Sequence, residues 1–286
     1  MPYADPVIFR RPAAGAELPI VYDSPHSGRS YPEDFRPVLP VEQLWGFEDR
    51  MVDDLLVDAP DHGVLLIAAN FPRAYIDPNR APDDIGEDLT GADWPHEARP
   101  TDYSRRGLGL IFRVGPDGKP IYERPLDHDD ILRRIEKLWR PYHAALEEAL
   151  AAAERRWGKV WHVNWHSMRP VGDALAPDPG ATRPDFVVSD RDGTSAEAPF
   201  TDRVAGLLEE LGYTVARNAP FKGGYITALH GRPAQGRHSV QIEINRRLYL
   251  DAATLEPTDR ARALRRDLST FTRTLAEWAR ARISGS

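Results

Sequence analysis

The chain has 286 residues, 41% of them hydrophobic, no cysteine, and a formal net charge of −7 from 37 basic and 44 acidic side chains. That length suffices for one large globular domain with a sizeable core. The missing thiols exclude disulfides, thiolate zinc sites and cysteine nucleophiles, so any metal must be held by histidine and carboxylate. Acids and bases are interleaved rather than blocked, and no apolar run approaches bilayer length, which excludes a nucleic-acid face or a membrane span from the expected functions. The opening Met1-Pro2-Tyr3-Ala4-Asp5-Pro6 lacks the charged-then-apolar pattern of a leader, so a soluble, cytoplasmic protein is expected. Arginine dominates lysine, which suits the bidentate binding of small carboxylates.

Leu18-Pro19-Ile20-Val21-Tyr22-Asp23 is a first strand, broken by Ser24-Pro25, after which His26-Ser27-Gly28 enters a loop facing a cleft. From Val41 to Ala59 the stripes Leu44, Met51, Leu55 and Trp45, Val52, Leu56 have helical spacing; Glu48 belongs to the first stripe and Asp49 to the second. The continuous apolar run Gly63 to Ala69 is a buried central strand, delivering Asn70-Phe71-Pro72-Arg73 and Asp77-Pro78-Asn79-Arg80 into turns. Residues 81 to 126 have little periodicity and many Pro, Gly and Asp, the pattern of a long loop insertion with a hairpin around Gly115 to Lys119.

From Asp129, the positions Ile131, Ile135, Leu138, Trp139, Tyr142 and Leu146 mark a long amphipathic helix, with a kink expected at Pro141. Val160 to His166 alternates, placing His162, Asn164 and His166 on one face of a strand with His166 at its end. Pro199 to Leu211, closed by Gly212, and Pro257 to Arg282 are helices. Between them, Val240-Gln241-Ile242-Glu243-Ile244-Asn245 alternates strictly, so Glu243 shares a face with Gln241 and Asn245, opposite the apolar side. Alone, this pattern fits an edge strand with a solvated polar face. Strands separated by helices predict an α/β fold, a mixed, mostly parallel sheet with helices on both faces, as a single domain over 1–286.

His26, Asp49 and His166 taken together, two imidazoles and a carboxylate near element ends, make a shell for a zinc ion with a fourth position open to water. Taken singly, each histidine is better explained by a loop cap or a hydrogen bond in the core, and no HExxH motif is present. Lys222-Gly223-Gly224 lacks the GxxxxGK[ST] frame of a phosphate loop; its glycines are better suited to close approach of backbone and substrate, with Lys222 or Tyr225 near the acidic side chain of that substrate.

The stretches Asp23-Ser24-Pro25-His26-Ser27-Gly28, Glu48-Asp49, Ile76-Asp77-Pro78-Asn79-Arg80, His166-Ser167-Met168-Arg169, Phe221 to Thr227 and Gln241-Ile242-Glu243 resemble, in this order, the N-formylglutamate amidohydrolase family. The resemblance runs from about Ile20 to Asp251. It implies a zinc-carboxypeptidase-like fold related to aspartoacylase and succinylglutamate desuccinylase. The implied activity is hydrolysis of a small N-acyl amino acid, N-formyl-L-glutamate or a similar compound, with one Zn2+ per chain. Carried onto this sequence, it makes His26, Asp49 and His166 the metal ligands and Glu243 the general base. Arg73 would lie beside the oxyanion, and Asn79 and Arg80 would hold the α-carboxylate. Helical geometry does not separate Glu48 from Asp49 as the acidic ligand; the family pattern favours Asp49. Some family members differ at Asn245-Arg246, so Arg246 either binds a side-chain carboxylate or anchors a loop. A zinc hydrolase of another N-acyl amino acid or short peptide would keep the same centre, and a carboxylate- or metal-binding protein retaining the fold would bind without turnover.

Overall fold

The computed structural model describes residues 5–90, 94–174 and 176–283; Met1–Ala4, on which the expectation of no leader partly rests, lie outside them. Seven strands of the described residues form one sheet: β1 (Val7–Arg10), β2 (Ile20–Ser24), β3 (Leu65–Ala69), β4 (Val160–Met168), β5 (Phe186–Ser189), β6 (Val215–Arg217) and β7 (Arg237–Asn245), in the order β1-β3-β2-β4-β7-β5-β6. β2 is parallel to β4 and β4 to β7, whereas β5 is antiparallel to β7 and parallel to β6. The mixed, mostly parallel sheet expected from the sequence is therefore present. The helices are α1 (Val41–Leu44), α2 (Val52–Leu55), α3 (Glu87–Thr90), α4 (Asp102–Arg105), α5 (His128–Arg134), α6 (Arg140–Trp157), α7 (Ala198–Glu210), α8 (Tyr225–His230) and α9 (Arg260–Ile283). Among the described residues no helix is long and apolar enough to cross a membrane.

The chain divides into two compact units, one of Met1–Ile8, Pro25–Arg50 and Ala68–Ala145, the other of Phe9–Ser24, Met51–Ile67 and Leu146–Ser286. The second unit shows the period-2 logic most directly. Trp161, Val163 and Trp165 of β4 and Val240, Ile242 and Ile244 of β7 lie in one buried core with Phe200, Val204 and Leu208 of α7 and Leu268, Phe271 and Leu275 of α9. Trp165 meets Tyr22 and Phe271 edge-on, with ring centroids 5.4 and 5.6 Å apart. The intervening residues His162, Asn164, His166, Ser239, Gln241 and Glu243 are also buried. On that side the Gly224 N–H at the start of α8 donates to Gln241 Oε1 and the His230 ring lies 6.3 Å from His162. Helices thus cover both faces, and β7, flanked by β4 and β5, is an interior strand rather than a solvated edge.

In the first unit an aromatic group forms the interior: Phe35 packs edge-on to Tyr75 and Tyr122 and stacks with Tyr31, and Phe47 meets Phe112 at 4.9 Å. Arg134, itself buried, lies 3.9 Å over the Tyr75 ring and donates to the Tyr75 carbonyl and the Tyr122 hydroxyl.

Two expectations are corrected and a third gains detail. The helix read over Val41 to Ala59 is interrupted: α1 and a 3-10 turn end at Phe47, Glu48 is extended, and α2 begins only after Met51, whose φ is 66°. Near Pro141, where a kink is expected, the helix is irregular. A π-helical stretch, Ile135–Trp139, joins α5 to α6 ahead of the proline, which has no N–H to return to the Lys137 carbonyl. The region 81–126 contains α3 and α4 as well as the expected turn, where the Gly115 N–H donates to the Lys119 carbonyl.

Candidate metal centre

Several residues singled out from the sequence lie at or beyond the carboxyl ends of strands: His26 just past β2, Arg73 past β3, and His166 and Glu243 near the ends of β4 and β7. Open α/β sheets present their binding residues at these ends. The turn carrying His26 is fixed by Gly28, where a Cβ would lie 2.2 Å from the Phe71 carbonyl oxygen, so only glycine lets the two backbones pass. The break between α1 and α2 positions Asp49, whose N–H donates to the His26 carbonyl.

His26, Asp49 and His166, all buried, each offer a ligand atom within 4.8 Å of the others. His26 Nδ1 lies 3.2 Å from Asp49 Oδ2. That matches the ~3.4 Å between neighbouring ligands of a tetrahedral zinc site with bonds of about 2.0–2.2 Å. Each ring also has an oxygen partner on Nε2: His26 Nε2 contacts Asp77 Oδ1 at 2.7 Å, and His166 Nε2 contacts Asn164 Oδ1 at 2.7 Å. A metal-binding imidazole usually donates its far N–H to such an oxygen, so this donor set fits a divalent ion. Glu48 is turned to other partners, accepting from the Tyr31 hydroxyl and Arg50. Burial raises its pKa against the pull of Tyr31 and Arg50.

Asp77 joins several of the residues singled out. Its Oδ1 also accepts from the Asn79 N–H, and its Oδ2 accepts from Arg73 Nε and Nη2 at 3.3 and 2.7 Å. Burial alone would raise the Asp77 carboxyl, but the Arg73 charge and then His26 outweigh it and hold the group well below the usual carboxylate range. Arg73 is therefore ion-paired, with its guanidinium 5.3 Å from the Phe112 ring centre. Arg80 donates to the Leu108 carbonyl and lies 4.1 Å over Tyr103, while Trp139 caps its own carbonyl.

Glu243 is the parallel cross-strand neighbour of His166, so the two share a face about 4.8 Å apart along the sheet. Its Oε1 accepts from Gln241 Nε2 at 2.8 Å, and Gln241 is oriented in turn by the Gly224 N–H. The glycine pair serves that turn: Gly223 has φ 106°, and a Cβ there would lie 2.7 Å from Thr227 Oγ1. Arg246 is buried and donates to Ser167 Oγ. Burial, with the like charges of Arg246 and Arg183, pushes Arg169 below its ordinary value despite Asp173, and Arg183 Nη1 donates to the Arg169 carbonyl. Lys222 is 64% exposed and pairs with Asp192 at 2.7 Å. Asp77, Asn164, Gln241 and Arg169 went without a role in the sequence reading, although each lies in a stretch it had marked.

The fold and this donor set define an α/β protein with a candidate His/Asp/His metal centre. The sequence profile of the N-formylglutamate amidohydrolase family matches residues 18–250, and the chain belongs to that family. N-formylglutamate deformylase of Pseudomonas putida is 29% identical over 239 residues, 82% of each chain. The Pseudomonas aeruginosa protein of the same name is 27% identical over 273 residues, covering 93% of this chain and 96% of its own. The crystal structure of N-formylglutamate amidohydrolase from Ralstonia eutropha JMP134 superposes with a TM-score of 0.91 at 44% identity, covering 97% of this chain and 99% of that one.

Proposed function

We propose that the chain, acting as a single catalytic domain in the cytoplasm, hydrolyses N-formyl-L-glutamate to formate and L-glutamate with one bound zinc ion. The observation that carries this reading is the grouping of His26, Asp49 and His166 in a member of a family named for that substrate. Zinc in such a site lowers the pKa of water toward neutrality and polarises a carbonyl. Glu243, held by Gln241, takes the water proton and returns it to the leaving amine. Arg73, held by Asp77, stabilises charge developing on the formyl oxygen. Asn79 and Arg80 hold the α-carboxylate, and Arg246, with Arg169 nearby, takes the side-chain carboxylate. Lys222 exchanges Asp192 for the same side-chain carboxylate of the substrate.

The test is formate release from N-formyl-L-glutamate by zinc-loaded protein, beside N-formyl amino acids with neutral side chains. Release restricted to the acidic substrate is expected. Equal turnover across the panel points to a general N-acyl amino acid hydrolase, and binding without turnover to a non-catalytic protein. Glu243→Gln is expected to lower kcat at least ~100-fold; a rate within about tenfold of the parent removes Glu243 as the base.

A further inference from the structure

The polar face of β4 holds a hydrogen-bonded chain that continues inward from His166. His166 Nε2 contacts Asn164 Oδ1 at 2.7 Å, Asn164 Nδ2 donates to Asp23 Oδ1 at 2.8 Å, and His162 Nε2 reaches that same Asp23 oxygen at 2.8 Å. The His162 Nδ1 atom then meets Ser239 Oγ at 2.8 Å, and Ser195 Oγ donates to the Ser239 carbonyl. Asp23, Asn164, His162 and Ser239 are fully buried.

The chemistry of the groups gives this chain a direction. Asn164 turns its NH2 toward Asp23 and therefore its carbonyl oxygen toward His166. An amide oxygen only accepts, so His166 must carry its proton on Nε2, leaving the Nδ1 lone pair for a metal. The two imidazoles of the candidate centre are thus fixed differently. His26 meets a carboxylate directly, whereas His166 meets a neutral amide with the carboxylate one group further in.

We propose that Asn164, oriented by Asp23, is a positioning residue that sets the tautomer and ring orientation of His166 for metal binding. The inference rests on the reading of His166 as a ligand. Its first test needs no metal. In metal-free parental protein labelled with 15N-histidine, long-range 1H–15N correlation should show the His166 proton on Nε2, and Asp23→Asn should allow the Nδ1–H form to appear. A proton on Nδ1 in the parent overturns the proposal.

The second test is zinc affinity by competition with a chromophoric chelator. Asn164→Leu should weaken binding about 10- to 100-fold. An Asn164→Leu affinity within threefold of the parent overturns the proposal. His166→Ala is the control for the underlying reading: if it binds zinc as tightly as the parent, His166 is not a ligand, whatever the tautomer proves to be.

Discussion

At the scale of single residues, Asp77 is the junction of the candidate centre. One of its oxygens takes the His26 ring and the Asn79 N–H, and the other takes Arg73. Asp77→Asn is expected to reduce zinc affinity about 10- to 100-fold, measured by chelator competition, because the second oxygen behind a metal-binding imidazole sets both its tautomer and its basicity. Arg73→Ala leaves a buried carboxylate without its main counter-charge. It should lower stability by about 3 kcal/mol in chemical denaturation. Arg73→Lys should retain most of the stability yet lose ~100-fold in kcat if the guanidinium also serves the formyl oxygen.

At the scale of elements, the sharpest prediction concerns the turn after β2. Gly28→Ala places a methyl where the Phe71 backbone already lies, and the neighbour is not a side chain that can swing aside. A destabilisation of about 2–3 kcal/mol is expected from urea midpoints, with loss of zinc affinity because the same turn carries His26. A second element prediction concerns the loop after β5. There, burial works against Asp190, but donors from Asn218 and the Gly193 N–H prevail and depress its pKa. A depressed carboxyl contributes stability above its unfolded pKa, near 3.9, and loses it as pH falls through the folded value. Asp190→Asn should therefore be destabilising by about 1 kcal/mol near neutrality, and the gap to the parent should close below about pH 4. Thermal melts at both pH values check it.

The same scale shows what could be read in advance. β4 and β7 were legible because each alternates without a lapse, and the core confirms which side is apolar. β5 was not, since Phe186-Val187-Val188 is short and uniformly buried, so it has no alternation to read. The break at Glu48–Asp49 was hidden because Leu44, Met51 and Leu55 keep helical spacing across it; spacing of apolar residues records which positions are buried and not whether the helix is continuous. His26, Asp49 and His166 came through as a set with the help of family resemblance. The partners of the two imidazoles did not: Asp77 lies 51 residues from His26, and Asp23 lies 141 residues from Asn164. No local pattern links such pairs.

At the scale of the whole molecule, stability is expected to depend on both the buried apolar face and a bound ion. Trp165, packed between Tyr22 and Phe271, should cost about 3–5 kcal/mol when truncated to alanine, seen in denaturant titration. If zinc binds only the folded chain, free zinc at 100 times its Kd adds about 2.7 kcal/mol. Chelation should then lower Tm by several degrees, reversibly on zinc return, and an unchanged Tm would mean no such coupling. The nine paired positions between β4 and β7 give His166 and Glu243 a fixed spacing. A slip of one residue would bring Ile242 or Ile244 beside His166 and send Glu243 to the opposite side. The separation between the backbones of the histidine and its acidic neighbour is thus a lattice constant of the sheet, which leaves the surrounding loops at liberty to diverge without altering it.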